Sequence, residues 1–212
     1  MWKYSKGFTL VELAIVLVII GLLLGGVLKG QEMIENGKIK NVKNDMQGMT
    51  AAYYAYRDRY NALPGDDINA HTRWSAAVAG TGNGIIVASA WVSSCASYTT
   101  NSDENCLFMQ DLRLAGLITG APNTADPINA YGGVIRVYYN TDTGSTALGI
   151  GLNLCFGNLP AKAAESVDIA FDDGVPNAGS VRAALGGSNT TPVVAAPTTY
   201  IDPNTYTVCK LL

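Results

Sequence analysis

Lys6-Gly7-Phe8-Thr9-Leu10-Val11-Glu12 opens a long apolar run, and its reading decides the fold. From Phe8 to Leu28 every residue is apolar, Gly or Thr, with the single exception of Glu12. About 20 apolar residues suffice to cross a bilayer as a helix. A bare carboxylate costs roughly 2.5 to 3.5 kcal/mol at the membrane centre, so such a group normally has a partner. Nothing nearby in the span is expected to pair with Glu12. That leaves a chain end, another subunit or interfacial water.

The flanking charges give an orientation. Lys3 and Lys6 precede the run, and Lys29 is the one basic residue just after it. Basic residues tend to remain cytoplasmic, so the N-terminus is expected inside and the remainder exported. A secretory signal would have a shorter apolar core ending in a small-residue cleavage site. Here the charged residue inside the apolar run and the seven-residue leader favour cleavage before the span, which is then retained.

Those residues carry a family resemblance. Gly-Phe-Thr-Leu-Val-Glu followed by an apolar run resembles the leader-peptidase signature of type IV pilins and the pseudopilins of type II secretion. The close match covers residues 6 to about 28, and a looser one reaches residue 60. The resemblance implies cleavage by a prepilin peptidase between Gly7 and Phe8, and N-methylation of Phe8. It implies that Glu12 neutralises the Phe8 ammonium of a neighbouring subunit during assembly. It places the protein first in the inner membrane, N-terminus cytoplasmic and globular part periplasmic, then in a pilus or pseudopilus fibre. The implied partners are other subunits, the peptidase and an inner-membrane assembly platform.

A second pattern follows the span. Ile39, Val42, Met46, Met49, Tyr53, Tyr56 and Tyr60 recur at alternating steps of three and four. That is the apolar seam of an amphipathic helix. No Pro intervenes before Pro64, so one helix is expected from about Phe8 to Tyr60, roughly 80 Å long at 1.5 Å per residue. Its seam should lie on a globular domain rather than form a coiled coil, since three tyrosines suit a sheet better than a tight zipper. Gly21, Gly25, Gly26 and Gly30 permit close helix approach in a membrane. Lys29 stands where many major pilins have Pro, a departure that points to a minor subunit.

Beyond Pro64-Gly65, a turn signal, the chain reads as α+β. Asp66 and Asp67 suit a solvated turn or the cap of a short helix. His71 has no second ligand type beside it and reads as a surface or packing residue. Strand-like runs occur at Ile85–Val87 and Ala90–Val92. A helix is expected at about 103–115, with Ser102 as N-cap and Gly116 as its stop. Residues 134–140 and 146–156 read as adjacent antiparallel strands joined by a loop at 140–145. A second short helix is expected from Leu159-Pro160 to about Ile169, and a strand at Ser180–Ala184. The stretch from Gly186 to Pro203 reads as loop. The resulting division is a leader at 1–7, a transmembrane or fibre-core helix at 8–28, its amphipathic continuation at 29–60 and an exported pilin domain at 61–212.

Four cysteines, Cys95, Cys106, Cys155 and Cys209, all follow the span. An oxidising exported compartment favours disulfides, and zinc would require paired C-x-x-C spacing that is absent. Of the three connectivities, Cys95–Cys106 and Cys155–Cys209 are expected; the second resembles the C-terminal staple of many pilins. Asp172-Asp173-Gly174-Val175-Pro176-Asn177 ends the second helix with two carboxylates, against the macrodipole. Arg182 or Ca²⁺ could offset them. Some pseudopilins hold calcium in such loops; the alternative is a hydrated turn with Gly174 at positive φ.

Charge and composition narrow the function. Residues 1–60 hold eight Lys or Arg against five Asp or Glu, and residues 61–212 hold six against twelve. The exported part is acidic, which disfavours a nucleic-acid surface. One His, no nucleophile elbow and no metal-ligand spacing leave no recognisable catalytic set. No cofactor is expected beyond the candidate calcium. The expected function is a structural fibre subunit, not an enzyme, with a tip-located binding or adhesion module as the alternative.

Overall fold

The computed structural model describes residues 7–86, 95, 103–141, 148–186 and 198–212. The chain divides into two compact units, Met1–Lys38 and Ile39–Leu212. A single helix, α1 (Leu10–Tyr60), contributes to both. Its first part has the length and apolar composition needed to cross a membrane, and its large apolar side chains from Leu10 to Leu28 are exposed.

The second unit is α+β. After the last turns of α1 come α2 (Ala70–Arg73), α3 (Glu104–Leu114), β1 (Ile135–Asn140), β2 (Gly151–Pro160), α4 (Ala161–Phe171), β3 (Val181–Leu185) and β4 (Thr205–Leu211). The four strands form one antiparallel sheet in the order β1-β2-β4-β3. The stripe on α1 does what its period requires. Ile39, Val42, Met46, Met49, Tyr53 and Tyr56 are buried in one core with Val137 of β1, Leu154 and Phe156 of β2 and Val208 of β4. Tyr60 packs at its margin. The helix thus covers the sheet face on which alternate strand residues point.

The opposite sheet face holds Cys155, Cys209 and Leu148, with Tyr138 against them. Because β2 is central and covered on both faces, six successive residues, Leu152 to Phe156 and Gly157, are buried, rather than alternate ones. The expected second strand at 146–156 therefore lies further along the chain, at Gly151–Pro160. A register shift between Phe156 and Leu159, with Asn158 at φ 59°, returns Leu159 to the core. Pro160 becomes the N-cap of α4 rather than part of its first turn.

Other expectations also change. Ile85 and Ile86 lie in a bend and an irregular segment, not a strand. Val87, Ala90–Val92, Ser102 and most of the 140–145 loop lie outside the described residues. The N-cap of α3 is Asp103. Every residue from Glu104 to Arg113 is buried, so α3 is enclosed on all sides, not only on the face toward β1. The C-terminal segment supplies β4, which pairs with both β2 and β3 at the centre of the sheet.

The edge strand β3 is shielded by the loop before it. Val181 N–H donates to Asp172 Oδ2 at 2.9 Å, and Ala183 N–H donates to the Pro176 carbonyl at 2.8 Å. These donors face away from β4. Covering them removes a template for pairing with another chain.

Candidate functional site

The N-terminal site is built from the first turn of α1. Glu12 Oε2 accepts Thr9 N–H and Thr9 Oγ1–H, each at 2.8 Å. Glu12 N–H donates back to Thr9 Oγ1 at 3.2 Å. This is a reciprocal capping box, in which a Thr and a Glu three residues on satisfy orphan helix donors. The expectation that nothing nearby pairs with Glu12 is therefore corrected. The signal is legible in the sequence as Thr9-x-x-Glu12, the spacing of a capping box. Glu12 Oε1 has no partner among the described residues and is open to a second donor. Gly7 and Phe8 precede the helix, and Phe8 is exposed.

The structure brings Cys95 to Cys106 and Cys155 to Cys209 as disulfides. Cys155 and Cys209 are directly opposed in the β2–β4 register, so the second bond ties the C-terminal strand to its central neighbour. The first anchors Cys95 to the opening turn of α3.

Asp66 and Asp67 do not form a solvated turn. Both are buried. Asp66 accepts the N–H groups of Asn83 and Gly84 at 3.0 and 2.7 Å. Asp67 accepts Tyr56 Oη–H at 2.9 Å and pairs with Arg73. Asp111 of α3 joins them by accepting Gly65 N–H. Burial pushes its carboxyl up to about 7. Gly65 sits at φ 88°, and a side chain there would collide with the Glu104 carbonyl at 2.4 Å. The Pro-Gly turn is thus pressed onto the backbone of α3. His71 is exposed on α2.

Asp168, Asp172 and Asp173 bring carboxylate oxygens within 4.8 Å of one another at the end of α4. At least one oxygen of each is engaged by the protein itself. Asp168 accepts Gly174 N–H at 3.2 Å and Tyr200 Oη–H at 2.7 Å. Asp172 holds Ser180 and Val181 N–H groups, and Asp173 accepts Val175 N–H at 2.8 Å. Calcium takes six to eight oxygen ligands, and here these N–H and O–H donors draw the three carboxylates into closing the loop. Arg182 makes no ion pair with them among the described residues; its Nε–H donates to the Gly179 carbonyl at 3.1 Å. Gly174 adopts φ 78°, the conformation the turn needs.

The architecture is pilin-like: a long N-terminal helix, apolar in its first part, whose later turns pack on a four-stranded antiparallel sheet. Residues 2–28 match the model of the prokaryotic N-terminal methylation motif, the prepilin signal of type IV pilins and pseudopilins. The chain carries that signal at the start of a helix long and apolar enough to cross a membrane. Neither curated proteins nor solved structures give a match.

Proposed function

We propose that this chain is a minor structural subunit of a type IV pilus or pseudopilus-like fibre. The match of residues 2–28 to the methylation motif carries the reading. It is supported by the continuous α1, apolar first and then striped, and by the α+β unit that takes the stripe. In this reading residues 1–7 are a leader that a prepilin peptidase removes between Gly7 and Phe8. Phe8 is then N-methylated. Residues 8–28 anchor the subunit in the inner membrane and afterwards line the fibre core, 29–60 continue the helix, and 61–212 form the exported domain. Glu12 meets the Phe8 ammonium of a neighbour. The absence of Pro at Lys29 favours a minor subunit.

Mass spectrometry of the chain, extracted from cells with and without a prepilin peptidase, tests this. The expected N-terminus is a methylated Phe8 with the peptidase and Met1 without it. Gly7→Val should keep the leader attached. An intact Met1 in peptidase-positive cells would overturn the assignment.

A further inference from the structure

A cleft of about 710 Å³ opens beside the C-terminal end of α1. That volume lies within the roughly 300–1,000 Å³ typical of small-ligand sites. Tyr54, Arg57, Asp58, Asn61 and Asn69 line it, with Gly82 and Gly84. Tyr54 is half-exposed, and its ring is held edge-on against Tyr53 at 5.0 Å between centroids. The side chains of Asp58, Asn61 and Asn69 are exposed and have no hydrogen-bond partner among the described residues.

The lining selects among ligand classes. An anion finds one guanidinium, that of Arg57, which already lies over the Tyr53 ring and donates to Tyr53 Oη at 3.3 Å. Beside it are the Asp58 carboxylate and the negative end of a long helix. The backbone N–H groups of Asn83 and Gly84, which would otherwise suit an anion, are engaged by Asp66. A cation finds Asp58 alone, since Asp66 and Asp67 are engaged within the fold. What remains facing a ligand is one cation, Arg57, one carboxylate, Asp58, and the Asn61 and Asn69 amides, since Asp66 and Asp67 are turned to partners inside the fold. Each Asn amide offers paired donors and acceptors, and Asp58 offers two acceptor oxygens. Such forks match adjacent hydroxyls, while a half-exposed aromatic ring offers an apolar face next to a polar tip.

We propose that this cleft is a binding site for a neutral polyhydroxylated ligand, a saccharide. Tyr54 supplies the stacking platform, and Asp58, Asn61 and Asn69 read the hydroxyls. The site contains no residue of the first unit, so it stands or falls separately from the fibre reading.

The test uses the full chain in lauryldimethylamine oxide, because a glycosidic detergent would itself present sugars to the cleft. The probes are immobilised oligomers of N-acetylglucosamine, mannose and galactose, with heparin as the polyanionic comparison. Saturable binding of at least one neutral oligomer, little affected by salt, is expected. Tyr54→Ala should weaken it about tenfold, the scale of one lost aromatic platform, and Asn69→Ala several-fold. Asn69 makes no side-chain capping bond to α2, so its variant probes the site without a folding penalty; circular dichroism checks Tyr54→Ala. Ile128→Ala, in a different groove, should leave binding unchanged. The proposal is overturned if no neutral oligomer binds at millimolar concentration, if both cleft variants bind as wild type does, or if only heparin binds. Photo-cross-linking from position 69 to a neighbouring copy in fibres, without sugar binding, would instead assign the cleft to subunit packing.

Discussion

Asp111 of α3 accepts the Gly65 N–H at 2.7 Å through Oδ2, while its Oδ1 is buried without a hydrogen-bond partner among the described residues. One hydrogen bond offsets only part of the cost of burying the charge. Burial raises the carboxyl from 3.8 to about 7, against the lowering pull of Gly65 N–H and of Arg73. The folded state therefore holds a proton that the unfolded chain has released. Asp111 contributes full stability below about pH 4 and loses it as the pH rises to about 7, by on the order of 1.4 kcal/mol per unit at most. Burial also raises Asp126 and Asp168, with the same sign. The urea midpoint of the chain is expected to fall between mildly acidic and neutral pH. Asp111→Asn should flatten that slope, and an unchanged slope would show that Asp111 does not titrate in this window.

The two disulfides should differ in worth. Cys95–Cys106 closes 11 residues and Cys155–Cys209 closes 54. In the chain-entropy model these correspond to about 3 and about 4 kcal/mol. The paired substitution Cys155→Ser with Cys209→Ser is expected to lower stability more than Cys95→Ser with Cys106→Ser, since both sulfurs of the longer loop are also fully buried. Thermal melts of the two variants provide the check. A larger loss from the shorter loop would mean that α3 depends on Cys95 for more than loop closure.

Asp172 is expected to act as a clip for the sheet edge. Asp172→Ala leaves the N–H groups of Ser180 and Val181 without their acceptor. A hydrogen bond to a charged group contributes about 1.5–3 kcal/mol, toward the low end here because Ser180 is exposed. Amide hydrogen exchange should accelerate at Val181 and the β3 edge, with little change in α1. Calcium should leave the melting temperature unmoved, because the three carboxylates already serve N–H and O–H donors. A rise with calcium that Asp172→Ala abolishes would place the ion among them.

Much of this was legible because it was periodic. The stripe from Ile39 to Tyr60 fixed one face of α1, and the β-rich run around Val137 fixed a strand. The β4 strand was harder to read. Tyr206 and Val208 alternate with Thr207 and Cys209 as a strand should, yet the strand's central place depends on pairing with β2 some fifty residues earlier. Nothing local announces that. Burial of Asp66 was hidden for the same reason, since its donors Asn83 and Gly84 arrive from a later loop. The cleft beside Tyr54 has no periodic signature at all. Thr9, by contrast, stood in plain view three residues before Glu12, and the box it forms sharpens the test of that carboxylate.

Glu12 has two separable roles, and one pair of substitutions tells them apart. Within the subunit, its Oε2 closes the box with Thr9. Between subunits, in the fibre reading, its charge meets the Phe8 ammonium. Glu12→Gln preserves the box, since Gln serves equally at that position, but removes the charge. Glu12→Ala removes both. Losing a helix cap costs about 1 kcal/mol, whereas leaving a buried ammonium uncompensated costs about 3 to 5 kcal/mol. If the charge governs assembly, Gln and Ala should enter fibres equally poorly. Thr9→Val, which breaks only the box, should assemble nearly as well as wild type. All three should insert into the membrane and be cleaved, because the bond after Gly7 is untouched. Sheared fibres and membrane fractions, immunoblotted side by side, give the comparison. Normal assembly of Glu12→Gln together with failure of Glu12→Ala and Thr9→Val would reverse the assignment. The carboxylate would then matter as a helix cap, and the charge would have no part in docking.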